Sequence, residues 1–263
     1  MLRPDVLDYY NRGGERTRLA AGTGLLEYLR TWDILERALP AAPADILDVG
    51  GATGVYAAPL AAAGHRVHVV DPVPDHVAAA GALPGVTAAV GDARALDVAD
   101  ASVDAVLLFG PLYHLTDRAD RVLAWAEARR VLRPGGVVLG ATIGRFASLF
   151  DGFVKGYAAD PLFVGLVRDV LATGVHGGGP YFTTAYFHHP DEPAAEARDA
   201  GLAVRRVVCV ESALWMAGRL PEVLASPDQR ALMLELLRGI EEEPAMLGTS
   251  SHLITVAGLL SDS

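Results

Sequence analysis

The stretch Ile46-Leu47-Asp48-Val49-Gly50-Gly51-Ala52-Thr53-Gly54 constrains this chain more than any other. It passes from apolar residues into small ones, then into a helical pattern over residues 55–63. A buried strand ending in a tight, glycine-lined turn reads this way, and such a turn lets backbone approach a ligand closely. The glycine spacing also separates cofactors. A dinucleotide site asks for G-x-G-x-x-G after the strand, but the three positions here hold Gly50, Ala52 and Val55. The third glycine is missing, which disfavours a nicotinamide oxidoreductase. What remains is D-x-G-x-A-x-G from Asp48 to Gly54.

Further strand-like runs lie at 66–70, 86–90, 103–109 and 137–143, after the first at 45–49. Helical patterns at 55–63, 74–80 and 118–132 fall between them. Strands alternating with helices predict a parallel sheet covered on both faces. The third helix has the clearest ends: Thr116 is placed to cap it, Arg129 and Arg130 suit its C-terminal dipole, and Pro134-Gly135-Gly136 stops it. Three segments exceed this frame. Residues 1–40 include a helix with Leu25, Leu29, Trp32, Leu35 and Leu39 on one face. Residues 146–189 form an aromatic- and glycine-rich cap insertion. Residues 211–249 read as a helical insertion before a last strand at 252–257. The expected organisation is therefore a lid (1–40), a cofactor-binding half (41–145), a cap (146–189) and a C-terminal half (190–263). All three extra segments are expected over the site, because insertions after strand C-termini sit at the ligand-bearing edge.

A formal net charge of -10 disfavours a nucleic-acid substrate, since phosphate backbones are bound mainly through Lys and Arg. The single Cys209 cannot form an intramolecular disulfide and reads as a buried thiol of a reducing compartment. Arg3-Pro4-Asp5 is not followed by an apolar h-region, and no run reaches the ~18–20 apolar residues of a membrane span. The expectation is a cytoplasmic protein, monomer or homodimer, with no nucleic acid or membrane partner. His188 and His189 are adjacent and point apart in an extended chain, so no metal site is expected. The run Glu241-Glu242-Glu243 reads as a solvated face, and His176, among glycines, as a mobile loop residue.

Four features end successive strands. The Asp48–Gly54 turn offers backbone N–H groups at a helix start, suited to a carboxylate or phosphate. Asp71 follows about 20 residues after the first glycine, where a carboxylate can accept both hydroxyls of an unmodified ribose. Gly91-Asp92-Ala93 suits an exocyclic adenine amine. Phe109-Gly110-Pro111-Leu112-Tyr113-His114-Leu115 lies where an acceptor would meet a reactive group.

Over nearly its full length the chain resembles a bacterial class I S-adenosylmethionine-dependent methyltransferase. Asp48 to Gly54 resembles that family's first cofactor motif, with Ala52 in place of a common glycine. Asp71 matches its ribose-binding acid and Asp92 its adenine-contacting acid. Leu132-Arg133-Pro134-Gly135-Gly136 resembles the boundary before the fifth strand. Both the Gly110-Pro111-Leu112-Tyr113-His114-Leu115 string and Phe182-Thr183-Thr184-Ala185-Tyr186-Phe187-His188 are similar to segments of its small-molecule members. The resemblance implies a Rossmann-like, doubly wound α/β fold. Its seven-stranded sheet has helices on both faces, an antiparallel last strand, and a helical lid. It assigns the cofactor to Asp48, Gly50, Gly51, Ala52, Gly54, Asp71, Pro72, Asp92, Ala93, Phe109 and Tyr113, with Arg18 pairing its carboxylate.

The expected reaction moves a methyl group from S-adenosylmethionine to oxygen, nitrogen or carbon of a small molecule, without metal. His114 is the leading candidate for base or orienting group, against the alternative of a histidine bonded to backbone; His188 is second. Tyr9, Tyr10, Tyr186 and His188 are the candidate acceptor contacts. The aromatic cap suggests an apolar or aromatic acceptor, although its rings can equally pack on one another. Two other readings stay open: a non-catalytic cofactor-binding protein, and a different enzyme using the same cofactor.

Overall fold

The computed structural model describes Val6 and residues 18–259, so Tyr9 and Tyr10 lie outside the described residues. The strands are β1 (Asp45–Val49), β2 (Arg66–Asp71), β3 (Val86–Val90), β4 (Val103–Leu108), β5 (Leu132–Gly144), β6 (Val175–Gly177), β7 (Thr184–His188), β8 (Leu202–Cys209) and β9 (His252–Leu259). Seven of them follow the order β3-β2-β1-β4-β5-β9-β8, parallel except for β9, which runs antiparallel to β5 and β8. The two extra strands form a hairpin inside the cap. There β7 joins β5 at Ile143↔Phe187 and Gly144↔His188, beyond the last β4 pair at Leu108↔Gly140. The sheet thus has nine strands, seven of which make the expected doubly wound path.

Strand alternation divides the core. Leu47, Val106, Leu108 and Val138 face one apolar layer with Trp125, while Ile46, Ala105, Leu107, Val137 and Leu139 face another with Ile34 and Leu60. Successive side chains point to opposite faces, so each central strand feeds both layers and reads as a continuous apolar run. Gly140 is required by this packing, since a Cβ there would meet Trp125 at 2.2 Å.

The helices begin with α1 (Gly22–Ala38), α2 (Ala57–Ala62), α3 (Pro74–Gly81), α4 (Pro111–His114) and α5 (Arg118–Val131). Asp117, rather than Thr116, caps α5 by accepting from the Ala119 N–H at 2.9 Å. It sits one residue nearer the first turn, where its carboxylate reaches an unsatisfied amide. Later come α6 (Ala147–Val154), α7 (Pro161–Thr173), α8 (Glu192–Asp199), α9 (Leu220–Ala225), α10 (Pro227–Arg238) and α11 (Pro244–Leu247). Leu26 of α1 packs with Trp215, Leu220, Leu224, Met233 and Leu237, and Phe150 of α6 joins them. The three extra segments therefore share one apolar cluster. Among the described residues no helix is long and apolar enough to cross a membrane.

The buried face of α1 differs from the expected leucine stripe, because it includes Arg30 and Asp33 beside Leu26 and Ile34. Arg30 is fully buried, bonded to Asp33, to Glu241 at 2.7 Å and to the Val210 carbonyl at 2.9 Å. Arg37 grips the same Glu241 through two nitrogens at 2.7 Å. Glu241 is therefore a buried anion, not part of a solvated face; local charge density cannot reveal cations approaching from a helix 200 positions away. Burial raises its pKa, but Arg37 and Arg30 outweigh that and hold it below the usual carboxylate range. His176 is likewise buried in β6, its Nδ1 3.1 Å from the Thr183 carbonyl and its ring beside Phe182 and Phe187. Removing one member of a buried ion pair leaves the other uncompensated. Glu241→Ala should cost roughly 3–5 kcal/mol in urea unfolding, whereas Glu242→Ala should change stability by less than about 0.5 kcal/mol.

Candidate functional site

Parallel pairing of β1 with β2 and β4 sets three strand C-termini side by side, and a cleft opens along them. Its lining runs through Gly50, Gly51 and Ala52 after β1, Asp71 and Pro72 at β2, Asp92 and Ala93 after β3, and Phe109 to Asp117 after β4. These are the ends of strands that sequence patterning brings together. Arg18 and Leu19 complete the wall from the N-terminal side.

The glycine turn is held from two directions. Gly50 and Gly54 have φ of 75° and 87°, which a side chain would strain. Gly50 also packs against the turn after β4: a Cβ on it would lie 2.8 Å from Pro111 Cδ. Close approach of two protein turns thus requires this glycine, as well as any ligand. Ala52 takes a left-handed φ of 47°, and its N–H donates to Asp71 Oδ2 at 3.0 Å. Asp71 Oδ1 accepts from the Val73 N–H at 2.9 Å and lies 3.1 Å from His76 Nδ1. One carboxylate therefore fixes the first turn against the second. His76, which also lines the cleft, was not singled out by the sequence. A histidine three positions into a helix carries no distinctive signal until β2 and α3 fold against each other.

Asp48 lies beneath the turn rather than on the cleft surface. It is fully buried, both its oxygens lack a hydrogen-bond partner among the described residues, and a Cβ on Gly51 would meet Oδ2 at 2.5 Å. Burial, and secondarily the charge of Asp71, push its pKa up to about 7. An uncompensated acid one layer below a glycine turn fits a ligand that brings positive charge, as the ammonium and sulfonium of the expected cofactor would. Asp92 is engaged differently: Arg94 bonds it through Nε at 2.9 Å and a terminal nitrogen at 2.6 Å, holding its carboxyl well below the usual range. Arg94 reaches on to Asp120 at 2.7 Å. The reach of Arg94 to Asp120 was also missed, because it joins the loop after β3 to the first turn of α5.

His114 ends α4 at the cleft, and its Nδ1 lies 3.3 Å from the Thr184 carbonyl of β7. A carbonyl only accepts, so the neutral ring carries its proton on Nδ1 and presents Nε2 as the acceptor nitrogen. Both readings of this histidine hold: it bonds backbone and it faces the site. Tyr113 packs edge-on against it with ring centroids 4.7 Å apart. Behind this turn, Arg121 donates to the Leu115 and Thr116 carbonyls at 2.8 and 3.0 Å, pairs with Glu196, and lies 3.7 Å from the Tyr186 ring centroid.

Tyr186 and His188 therefore stand behind the site and do not line the cleft. Tyr186 donates to Glu192 at 2.9 Å, and His188 is fully buried with Nε2 3.6 Å from Glu196. Burial lowers the His188 pKa. Their strand pairs with the end of β5, so its side chains enter the support of the Arg121 network instead of the opening. The cap aromatics also pack among themselves: Phe163 meets Tyr157 and Tyr181 at centroid distances of 5.6 and 4.9 Å. The cleft lining extends from Arg18 to Asp120, leaving residues 146–189 and 211–249 as flanking structure.

One further group of side chains, Glu27, Glu211 and His252, has ligand atoms within 4.8 Å of one another, the spacing a metal ion would accept. Burial lowers the His252 pKa, but Glu27 and Glu211 outweigh it and raise it to about 9. A proton on His252 serves there as the positive charge between two carboxylates.

Residues 46–136 match the methyltransferase-domain family. The chain is similar to an uncharacterized methyltransferase of Mycobacterium tuberculosis, 40% identical over 99 residues, or 37% of this chain and 39% of the relative. It thus spans about two fifths of that relative's length. It is also similar to a ubiquinone biosynthesis O-methyltransferase of Paramagnetospirillum magneticum, 33% identical over 167 residues, covering 62% and 60% of the two chains. In three dimensions it resembles an S-adenosylmethionine-dependent methyltransferase of Methanosarcina mazei, with TM-score 0.60 and 18% identity over 87% of this chain and 98% of the other.

A carboxyl whose folded pKa lies above its ordinary value favours the folded state at low pH, and that contribution is lost as pH rises through the folded value. For Asp48 the loss begins above the ordinary value of 3.8 and is complete once the pH passes about 7. Without ligand, Asp48→Asn should flatten the decline in Tm between about pH 4 and about pH 7. An unchanged slope in scanning fluorimetry would refute the buried-charge assignment.

Proposed function

We propose that this chain, which carries a class I S-adenosylmethionine-dependent methyltransferase domain, methylates a small, apolar or aromatic molecule at the cleft edge marked by His114. The convergence of the glycine turn, Asp71, Asp92 and His114 on one cleft supports this reading most strongly. S-adenosylmethionine supplies an electrophilic methyl group when bound, because that carbon is attached to a sulfonium. The chain's own residues then have to bind, orient and exclude water.

With the cofactor bound, Asp71 would accept hydrogen bonds from the ribose hydroxyls, and the glycine turn would face the amino-acid end. Pro72, Ala93 and Phe109, which line the cleft, would give the adenosine its low-polarity walls. The acceptor lies by Tyr113 and His114, with Leu19, Tyr56 and Leu115 supplying apolar surface. This assignment places the apolar preference in the cleft wall rather than the cap. His114 Nε2 takes a proton from a hydroxyl or protonated amine of the acceptor, or orients a carbon nucleophile. The fixed tautomer preorganises it for this task. No nucleic acid is required as partner.

Incubation with S-adenosylmethionine and a library of small phenols, amines and quinols should give products heavier by one methylene, read by mass spectrometry. Binding without any product across the library would favour a non-catalytic protein. His114→Ala should lower turnover about 10²–10⁴-fold while leaving calorimetric affinity for S-adenosylhomocysteine nearly unchanged. Asp71→Ala should weaken that affinity about tenfold or more.

A further inference from the structure

The loop after β3 is bonded along α5. Arg130 donates to the Leu96 and Val98 carbonyls, each at 2.8 Å, and Glu127 accepts from the Leu96 N–H at 2.7 Å. Nearer the cleft, Arg94 Nη1 donates to Asp120 Oδ2 at 2.7 Å. Strand β4, which leads into α4 and α5, stands three places from β3 in the sheet order β3-β2-β1-β4. These bonds therefore bring the first turn of α5 across to the β3 end of the cleft, which Asp92, Arg94 and Asp120 all line.

That end is where the cofactor's base falls. With the glycine turn after β1 at the amino-acid end and Asp71 of β2 at the ribose, the base continues outward towards β3. The exocyclic amine of adenine is a donor, so its partner needs an acceptor site to give. Asp92 has little left: the Arg94 backbone N–H and Nε both donate to its Oδ1, at 3.0 and 2.9 Å, and Nη2 donates to its Oδ2 at 2.6 Å. Three of a carboxylate's roughly four acceptor sites are thereby filled. Asp120 accepts a single bond, on Oδ2, and its Oδ1 accepts none among the described residues. Asp117 also lines the cleft, but it is exposed and already caps α5.

We propose that Asp120, rather than Asp92, accepts the exocyclic amine of the cofactor's adenine, through Oδ1. Arg94 bonds one carboxylate oxygen and leaves the other to the base, so the acceptor is oriented before the ligand arrives. The assignment rests on the methyltransferase reading of the cleft and deepens it, because it names the residue that selects adenine over a purine without the amine. It also gives a binding role to the first turn of α5, the helix that follows the His114 turn.

Two ligands that differ only in that amine test the assignment: S-adenosylhomocysteine, and its analogue with unsubstituted purine as the base. Calorimetry on the full chain should show the unmodified protein binding the first about tenfold more tightly. Asp120→Ala should erase this preference by weakening S-adenosylhomocysteine alone. Asp120 is partly exposed, so its removal costs the fold little, and Arg94 keeps its grip on Asp92 in that variant. General damage to the site would instead weaken both ligands and leave their ratio unchanged. Equal binding of the two ligands by the unmodified protein, or a preference that survives Asp120→Ala, would overturn the role of Asp120 while leaving the cofactor site intact. If the unmodified protein bound neither ligand, the cofactor reading and this inference would fall together.

Discussion

The cleft depends on β1 lying between β2 and β4 in parallel register. That register carries Gly50 from β1, Asp71 from β2 and the Gly110–Pro111 turn from β4 to one edge of the sheet. Once there, they constrain one another. Asp71 accepts from the Ala52 N–H and holds that residue at a positive φ that alanine does not favour by itself. Pro111 packs so close to Gly50 that no side chain fits between them. The site is a mutual fit of three turns, and the apolar layers on both faces of the sheet keep those turns in place.

Charge is handled by two opposite strategies around this edge. Away from the cleft, buried ions are paired: Arg30 with Asp33 and Glu241, and Arg121 with Glu196. These pairs tie segments distant in sequence to the central helices, and their geometry offsets part of the cost of desolvation. Beside the cleft the balance is different. Among the described residues Asp48 is buried with no hydrogen-bond partner, and Asp71 accepts from two amides beside an imidazole.

Much of the sheet was legible because its signal is local. Strand β1 and strand β3 begin and end where apolar runs and turn residues place them, and glycine spacing distinguishes the turn after β1 from a dinucleotide loop. The cleft-lining positions of Asp71 and Asp92 were legible for the same reason: an acid at the end of a strand in a parallel sheet has only one edge to occupy. Tyr186 and His188 misled because strand membership does not say which side of a cleft a strand will flank. Their hairpin pairs beyond the end of β4 and stands behind the His114 turn. Glu241 misled because three adjacent acids look solvated until Arg30 and Arg37 arrive from α1.

By itself the sequence determined the alternation of the first five strands with helices, the glycine turn, and the acids that end β2 and follow β3. All of these follow from short-range periodicity and from residues whose conformational freedom or charge has a fixed local meaning. Tertiary structure alone decided the tautomer of His114, the lack of a hydrogen-bond partner for Asp48 among the described residues, the reach of Arg94 to Asp120 and the meeting of Glu27, Glu211 and His252. Each depends on atoms from segments far apart in the chain meeting within a few ångströms. Burial and electrostatic pairing are properties of that meeting, and no residue carries them before the chain folds.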